Sequence, residues 1–243
     1  MVEKLLNNSD NFDRHSIIHP YGGFQFKICG MKFPENILDV STLHPDYMGF
    51  VFYPRDKRFV KKLDTSILQV LPKEIKKVGV FVNENLENIL TYIHKYNLDA
   101  VQLHGTENQE LCQLIKEEAN TMVIKVFSIM DKHNLKVTNE YENIADLFLF
   151  NTKTDVYADS EQKFNWNILH NYQGNKDFLL GGKIGPDDIK AIRKLKHPKM
   201  IGVDLNSRFE IKPGLKNVDM LRTFMEEINL PPETEEENQR KLN

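Results

Sequence analysis

The chain has few cysteines and lacks a long apolar segment. Cys29 and Cys112 are its two cysteines among 243 residues, too few for a secreted disulfide scaffold, and no Cys/His spacing is typical of a metal site. No stretch approaches the ~18 apolar residues of a membrane span. The opening MVEKLLNNSDNFDRHS lacks the apolar core of a signal peptide. We therefore expect a cytoplasmic protein with two free thiols, no metal site and no membrane contact.

The chain also lacks a block of basic residues. Its formal net charge is −3, and Lys and Arg are spread along its length. Nucleic-acid binding needs concentrated positive charge, so we exclude nucleic acid as the main partner. A local cationic pocket for a small anion is compatible with this charge. With 40% apolar and 28% charged residues, the composition is that of an ordinary globular protein.

Eight short apolar runs recur along the chain, each followed by a further segment. The runs are too continuously apolar for half-exposed strands and are typical of a parallel sheet covered on both faces. Most of the segments between them have helical periodicity and open with Pro, Asn, Asp or Thr, as helices often do; the segment 131–144 is the weakest helix. The runs are residues 24–29, 46–52, 77–82, 99–104, 122–127, 146–151, 177–182 and 200–205.

Strands that alternate with helices in one unit of this size predict a closed (β/α)8 TIM barrel of the α/β class. An open doubly wound sheet would more often carry a glycine-rich dinucleotide turn after its first strand, and residues 29–31 (CGM) form no such turn. We expect the barrel over residues 24–229, after a short N-terminal extension at 1–23. Residues 230–243 include a proline pair and many charges, which predicts a disordered tail.

The chemistry of a barrel lies at the carboxyl ends of its strands, where several polar residues occur. Cys29 ends the first run, and a thiol with a lowered pKa can serve as a base, although its position alone favours a small apolar plug. Arg58 follows the second run; its guanidinium suits a carboxylate or phosphate, and a solvated loop charge is an equal alternative. His104 ends the fourth run, where a packed histidine is the simpler interpretation. Asn151 ends the sixth, where it caps the strand or orients a substrate but cannot exchange a proton near neutral pH.

The ends of the last two runs predict a phosphate site. Gly181 and Gly182 allow a ligand to approach the backbone closely, and a helix that opens at 185–186 offers free N–H groups to an anion. Asp204 to Arg208 add polar groups beside them. Barrels often bind phosphate between the loops after strands seven and eight, so we favour a phosphate site over a plain turn.

Read in order, these strand ends resemble phosphoribosylanthranilate isomerase over nearly all of residues 24–228. The resemblance implies an Amadori rearrangement in tryptophan biosynthesis, from N-(5-phosphoribosyl)anthranilate to 1-(o-carboxyphenylamino)-1-deoxyribulose 5-phosphate, without metal or organic cofactor. A general acid opens the ribose ring to a Schiff base, and a general base then removes the C2′ proton. The matching stretches include KICGM at 27–31, VQLHGTE at 101–107, LLGGKIGPDDI at 179–189 and GVDLNSRFEIKPGLKNV at 202–218.

The resemblance also implies a role for each candidate. It assigns the general base to Cys29, the contact to the anthranilate carboxylate to Arg58, and further substrate contacts to His104 and Asp204. The phosphate-binding backbone falls on Gly181, Gly182, Asn206 and Ser207.

Two departures from the family pattern affect the chemistry. The general-acid aspartate is replaced by Asn151, which removes a proton donor. The glycine-rich loop that normally follows is replaced by ADSE at 158–161, which stiffens the loop and adds negative charge near the phosphate site. Asp155 or Asp159 would have to supply the proton, or the ring would have to open spontaneously.

Three hypotheses follow. The first is an isomerase of reduced activity acting on a small sugar phosphate, as a monomer or a homodimer. The second is a catalytically degenerate barrel that binds a phosphorylated ligand or a partner without turnover. The third, an isomerase of altered substrate, is disfavoured because Arg58 and Cys29 are both present.

Overall fold

The barrel predicted from the sequence is confirmed. The computed structural model describes residues 23–152 and 163–230. Eight parallel strands pair in chain order, and the eighth pairs with the first to close the sheet. Each strand overlaps one of the apolar runs. The strands are β1 (Gln25–Ile28), β2 (Tyr47–Val51), β3 (Lys76–Phe81), β4 (Ala100–Leu103), β5 (Met122–Ile129), β6 (Leu147–Thr152), β7 (Phe178–Leu180) and β8 (Met200–Leu205).

The α-helices in the described ranges are α1 (Pro34–Ser41), α2 (Thr65–Val70), α3 (Leu86–Tyr96), α4 (Gln109–Ala119), α5 (Ile189–Leu195) and α6 (Val218–Asn229). Local sequence explains where α3 and α4 begin and end. The side chains of Asn85 and Asn108 accept hydrogen bonds from backbone N–H groups of the first turn. Asn97 and Asn120 end the two helices with φ of 47° each, a left-handed conformation that asparagine tolerates well.

Two segments between strands form 3-10 helices instead. The weak segment after β5 contains one at Lys132–Glu140, and Trp166–Asn171 is another after β6. Each buries few side chains: Leu135 and Thr138 in the first and Leu169 in the second.

A hairpin after β8 was not expected from the sequence. A 3-10 turn at Ser207–Phe209 leads into β9 (Glu210–Lys212), which pairs antiparallel with β10 (Leu215–Lys216). Gln25–Ile228 forms one compact unit that contains the barrel and this hairpin. The N-terminal extension and the tail lie almost wholly outside the described residues.

Alternate residues of each strand face the inside of the barrel. Tyr47, Val78, Ile124 and Leu149 belong to one buried apolar cluster there. The same alternation brings Cys29 inward, against Val51 and Val80, one layer nearer the carboxyl ends. The middle of the barrel is therefore largely apolar, although Lys27 of β1 is buried there, and most polar side chains of the interior lie near the carboxyl ends of the strands.

Over residues 23–152 and 163–230, no helix is both long and apolar enough to cross a membrane.

Candidate active site

A cavity of about 240 Å³ lies at the carboxyl ends of the strands. Gly181, which does not line it, lies beside it, since a Cβ there would be 3.5 Å from the Asp204 Cβ. Asp155 and Asp159 lie outside the described residues. The predicted residues that line the cavity are Cys29, Arg58, His104, Asn151, Gly182, Asp204, Asn206 and Ser207.

Cys29 lies at the carboxyl end of β1, with 4% of its surface exposed. Burial raises the pKa of its thiol above the usual range, and the nearby Lys27 ammonium offsets only part of that rise. Lys27 is fully buried, and its Nζ lies 2.8 Å from Asp204 Oδ1. The Cys29 sulfur, which we predicted to be a base, therefore lies beside the buried Lys27–Asp204 ion pair.

Arg58 reaches the cavity but is already bound to a carboxylate. Its Nε and Nη2 donate to the two carboxylate oxygens of Glu210 at 2.8 and 2.7 Å, and its Nη1 lies 3.5 Å from Asp56 Oδ1. Gly30 makes this possible, because a Cβ there would be 2.5 Å from Arg58 Cδ. The guanidinium is thus held in place before any substrate arrives.

Glu210 is held in turn by the β9–β10 hairpin. Lys216 Nζ donates to Glu210 Oε1 and to Asn206 Oδ1, both at 2.7 Å, and the Gly214 N–H donates to Glu210 Oε1 at 2.9 Å. Burial alone would raise the pKa of Glu210, but the hydrogen bond from Arg58 and the charge of Lys216 outweigh it and lower that pKa. Glu210 therefore stays ionised under Arg58.

Asn151 and His104 form a neutral pair across the cavity. The Thr152 N–H donates to Asn151 Oδ1 at 2.9 Å, which turns the amide nitrogen toward His104 Nε2, 3.2 Å away. Because an amide nitrogen only donates, His104 Nε2 accepts and the ring carries its proton on Nδ1. Burial lowers the pKa of His104, which also favours the neutral ring. Neither partner directs an acidic proton into the cavity.

The loops after β7 and β8 form the anion-facing side of the cavity. Gly182 has φ of +90°, and a Cβ there would be 2.5 Å from the Thr152 nitrogen, so only glycine fits. The Gly185 N–H, expected to face an anion, donates to Asp188 Oδ2 at 2.6 Å instead. Lys183 lines the cavity, and Arg208 Nε lies 3.0 Å from where a Gly185 Cβ would stand. Positive charge near this side therefore comes from Arg208, expected beside the phosphate site, and from Lys183, to which we assigned no role from the sequence.

Sequence reasoning missed the charged residues that support the cavity. Lys27 carries a usable signal, because it is a charge inside the apolar run FQFKIC, two residues before Cys29 and so on the same strand face. Glu210 and Lys216 carry no periodic signal, since they occupy a short hairpin after the last strand of the barrel. Within the described part of the chain, no group of three His, Cys, Asp or Glu side chains is arranged to hold a metal ion.

Comparison with known proteins shows the family of the chain. The family model described as N-(5'-phosphoribosyl)anthranilate (PRA) isomerase matches residues 26–227. The N-(5'-phosphoribosyl)anthranilate isomerase of Parabacteroides distasonis is 42% identical over 207 residues, which cover 84% of this chain and 93% of that protein.

Solved structures with the same fold include two that are 30% identical to this chain. A crystal structure of phosphoribosyl anthranilate isomerase in complex with reduced 1-(o-carboxyphenylamino)-1-deoxyribulose 5-phosphate has a TM-score of 0.71 and 30% identity, covering 83% of this chain and 96% of that one. A structure of monomers generated from the dimeric enzyme of Thermotoga maritima has a TM-score of 0.69 and 30% identity, covering 84% and 97%. This chain belongs to the N-(5'-phosphoribosyl)anthranilate isomerase family.

Proposed function

We propose that this chain catalyses the Amadori rearrangement of N-(5-phosphoribosyl)anthranilate in tryptophan biosynthesis, with Cys29 as its general base. One observation carries the proposal: Cys29, Arg58, Asp204 and the loops after β7 and β8 line one cavity at the barrel mouth. As a member of this family, the chain is an isomerase that interconverts an aldose and a ketose.

The proton transfer at C2′ belongs to Cys29 in this proposal. Once the ribose ring has opened to the Schiff base, the thiolate takes the C2′ proton, which leaves a neutral thiol and an enolamine. The enolamine then tautomerises to the ketose. A placed base contributes roughly 10²–10⁴ to the rate of such a step.

The substrate's two anionic ends bind on different sides of the cavity. The anthranilate carboxylate meets Arg58 through Nη1, because Nε and Nη2 donate to Glu210. The phosphate binds against the backbone of Gly181, Gly182, Asn206 and Ser207. Lys183 and Arg208 add positive charge near that side, where a dianion gains most from it.

Ring opening is the weak step of this proposal. Asn151 cannot supply a proton, and its partner His104 is neutral and accepts through Nε2. The ring then opens spontaneously or through a carboxylic acid of the segment 153–162, such as Asp155. We therefore expect a slow isomerase whose rate is limited before the C2′ proton is removed.

A turnover assay with two cysteine variants tests the proposal. The purified protein receives freshly made phosphoribosylanthranilate, and the decay of its fluorescence is followed. Cys29→Ala abolishes enzymatic decay, whereas Cys112→Ala, a buried cysteine on α4 outside the cavity, leaves the rate unchanged. Enzymatic decay that survives Cys29→Ala contradicts the role of Cys29.

The neutral pair at Asn151 favours a second candidate, a barrel that binds a phosphorylated ligand without turnover. It predicts that wild type and Cys29→Ala give the same background decay. Calorimetry with the reduced product analogue then completes the comparison: binding without turnover supports this second candidate, and turnover by the wild type removes it.

We further propose a cytoplasmic location and a small-molecule substrate as the main partner. The base must be a free thiol, and both cysteines are free in this structure. A monomer and a homodimer both fit the site, because every residue assigned to it comes from one chain. Sedimentation at assay concentration distinguishes the two states.

A further inference from the structure

Lys27 is a charged side chain in the interior of the barrel. Its side chain is 0% exposed, and Nζ lies 2.8 Å from Asp204 Oδ1, whose side chain is 11% exposed. The strand register pairs Lys27 with Asp204 across β1 and β8, so the two side chains meet without distortion. A buried ion pair of this kind often contributes less to stability than apolar residues of the same volume. Its presence at the barrel mouth therefore points to a role in the chemistry.

The Lys27 ammonium also borders the Cys29 sulfur. The two residues lie two positions apart on β1 and face the same side of the sheet. A Cβ on Gly49 of β2 would stand 2.8 Å from Cys29 Sγ and 3.1 Å from Lys27 Nζ. Glycine at position 49 thus leaves the space into which both atoms project.

We propose that Lys27 is a positioning residue of the isomerase: anchored by Asp204, its ammonium lowers the cost of ionising the buried Cys29 thiol and so stabilises the thiolate that removes the C2′ proton. This inference rests on the proposed function of Cys29. Because Cys29 is only 4% exposed, water solvates its thiolate poorly, and a fixed counter-charge stabilises that form.

Other charges face the sulfur, but most of them are engaged elsewhere. Arg58, after β2, and Lys216, on β10, both bind the Glu210 carboxylate at 2.7 Å. The negative charge of Asp204 raises the pKa of Cys29, but Asp204 is paired with the Lys27 ammonium. Burial raises the pKa of Cys29, and Lys27 is the largest of the influences that lower it. The remaining polar side chains that line the cavity are Tyr53, Asp56, Gln102, His104, Asn151, Lys183, Asn206 and Ser207.

Titration of the thiol tests the inference without relying on turnover. The thiolate absorbance near 240 nm is followed against pH in a Cys112→Ala background, and the signal of a Cys29→Ala protein is subtracted. Lys27→Gln, which keeps a donor for Asp204 but removes the charge, raises the apparent pKa of Cys29 by at least about one unit, or about tenfold in thiolate fraction.

The matched control is Lys125→Gln. Lys125 is a second buried lysine, on the outer side of β5, where its Nζ lies 2.7 Å from Glu107 Oε2. Removing that charge leaves the Cys29 titration unchanged. If both substitutions shift it equally, a general loss of packing explains the result and the inference is overturned.

Asp204→Asn gives an effect of the opposite sign and serves where Lys27→Gln fails to fold. It removes an anion beside the sulfur and frees the ammonium for the thiolate, so the apparent pKa of Cys29 falls. A folded Lys27→Gln protein with an unchanged titration, or an Asp204→Asn protein with a raised pKa, overturns the inference. A shifted titration in a protein without isomerase activity at any pH supports the Lys27–Cys29 pairing and contradicts the proposed function instead.

Discussion

One amide determines the protonation pattern of the cavity. The Thr152 N–H orients Asn151, and Asn151 in turn leaves His104 with an accepting Nε2. An oxygen in place of the amide nitrogen would reverse this pattern, because a carboxylate accepts where an amide donates. The amide at position 151 thus removes a proton donor and also sets which nitrogen of His104 carries the proton.

Asn151→Asp should accelerate the reaction. A carboxylic acid at this position supplies the proton for ring opening, and a placed acid contributes roughly 10²–10⁴ in rate. The fluorescence assay should therefore show kcat rising by about a hundredfold or more.

The control for this prediction is Asn85→Asp. Asn85 caps α3 by accepting from the Asn88 N–H, far from the chemistry, and aspartate caps equally well. Its kcat should equal that of the wild type. If Asn151→Asp leaves kcat unchanged as well, ring opening does not limit the rate.

The sequence identifies candidate site residues at the ends of strands. It does not identify the side chains that hydrogen-bond to them. Cys29, His104 and Asn151 were found because each ends an apolar run, and all three line the cavity. That Arg58 binds a carboxylate of its own chain was not foreseeable, since Glu210 lies 152 residues away and in no periodic pattern.

At the scale of elements, the β9–β10 hairpin supports the arginine that we assign to the substrate. It contributes Glu210 and Lys216, which carry opposite charges and lie 2.7 Å apart under Arg58. A bidentate contact fixes the plane of a guanidinium, which a single hydrogen bond does not. The hairpin therefore determines which N–H groups of Arg58 remain available to a substrate carboxylate.

Glu210→Gln should raise KM and leave kcat nearly unchanged. Loss of the bidentate contact lets Arg58 adopt other rotamers, and we expect KM to increase about tenfold, equivalent to about 1.4 kcal/mol of binding. Steady-state kinetics measure both constants. Glu117→Gln, on α4 with its carboxylate 2.6 Å from Gln113, is the neutral control. A lower KM would mean that Glu210 competes with the substrate for Arg58.

The helical and 3-10 connections differ for reasons that are partly local. Asn85 and Asn108 cap their helices, which sequence patterns detect. The segment after β5 lacks a strong apolar face, and it forms the 3-10 helix Lys132–Glu140. Its weakness was visible in the sequence, but its final geometry depends on what packs against it.

For the molecule as a whole, buried thiols couple stability to pH. Burial raises the pKa of Cys112 from 9.0 to about 11, so the native state keeps this thiol protonated where the unfolded chain would ionise it. The contribution of the protonated Cys112 thiol to the free energy of unfolding is fully present below pH 9 and is lost as the pH rises toward 11. Stability therefore falls in this window, because unfolding releases a proton.

Cys112→Ala should flatten the dependence of stability on pH above 9. A shift of this size corresponds to roughly 2 kcal/mol between the two ends of the window, as an order of magnitude. Urea unfolding at pH 8 and at pH 10.5 gives the free energy of unfolding for wild type and variant. The prediction is wrong if the two proteins lose the same free energy between these pH values.

The sequence by itself determined the eight-stranded barrel, because strands buried on both faces must be continuously apolar and strands that alternate with helices close most readily into this fold. It also determined which residues stand at the strand ends. Only the tertiary structure decided how their charges are paired. Lys27 meets Asp204, 177 residues away, because the register of β1 on β8 aligns them when the barrel closes. Such a register depends on contacts between the first and last strands, which no local pattern encodes.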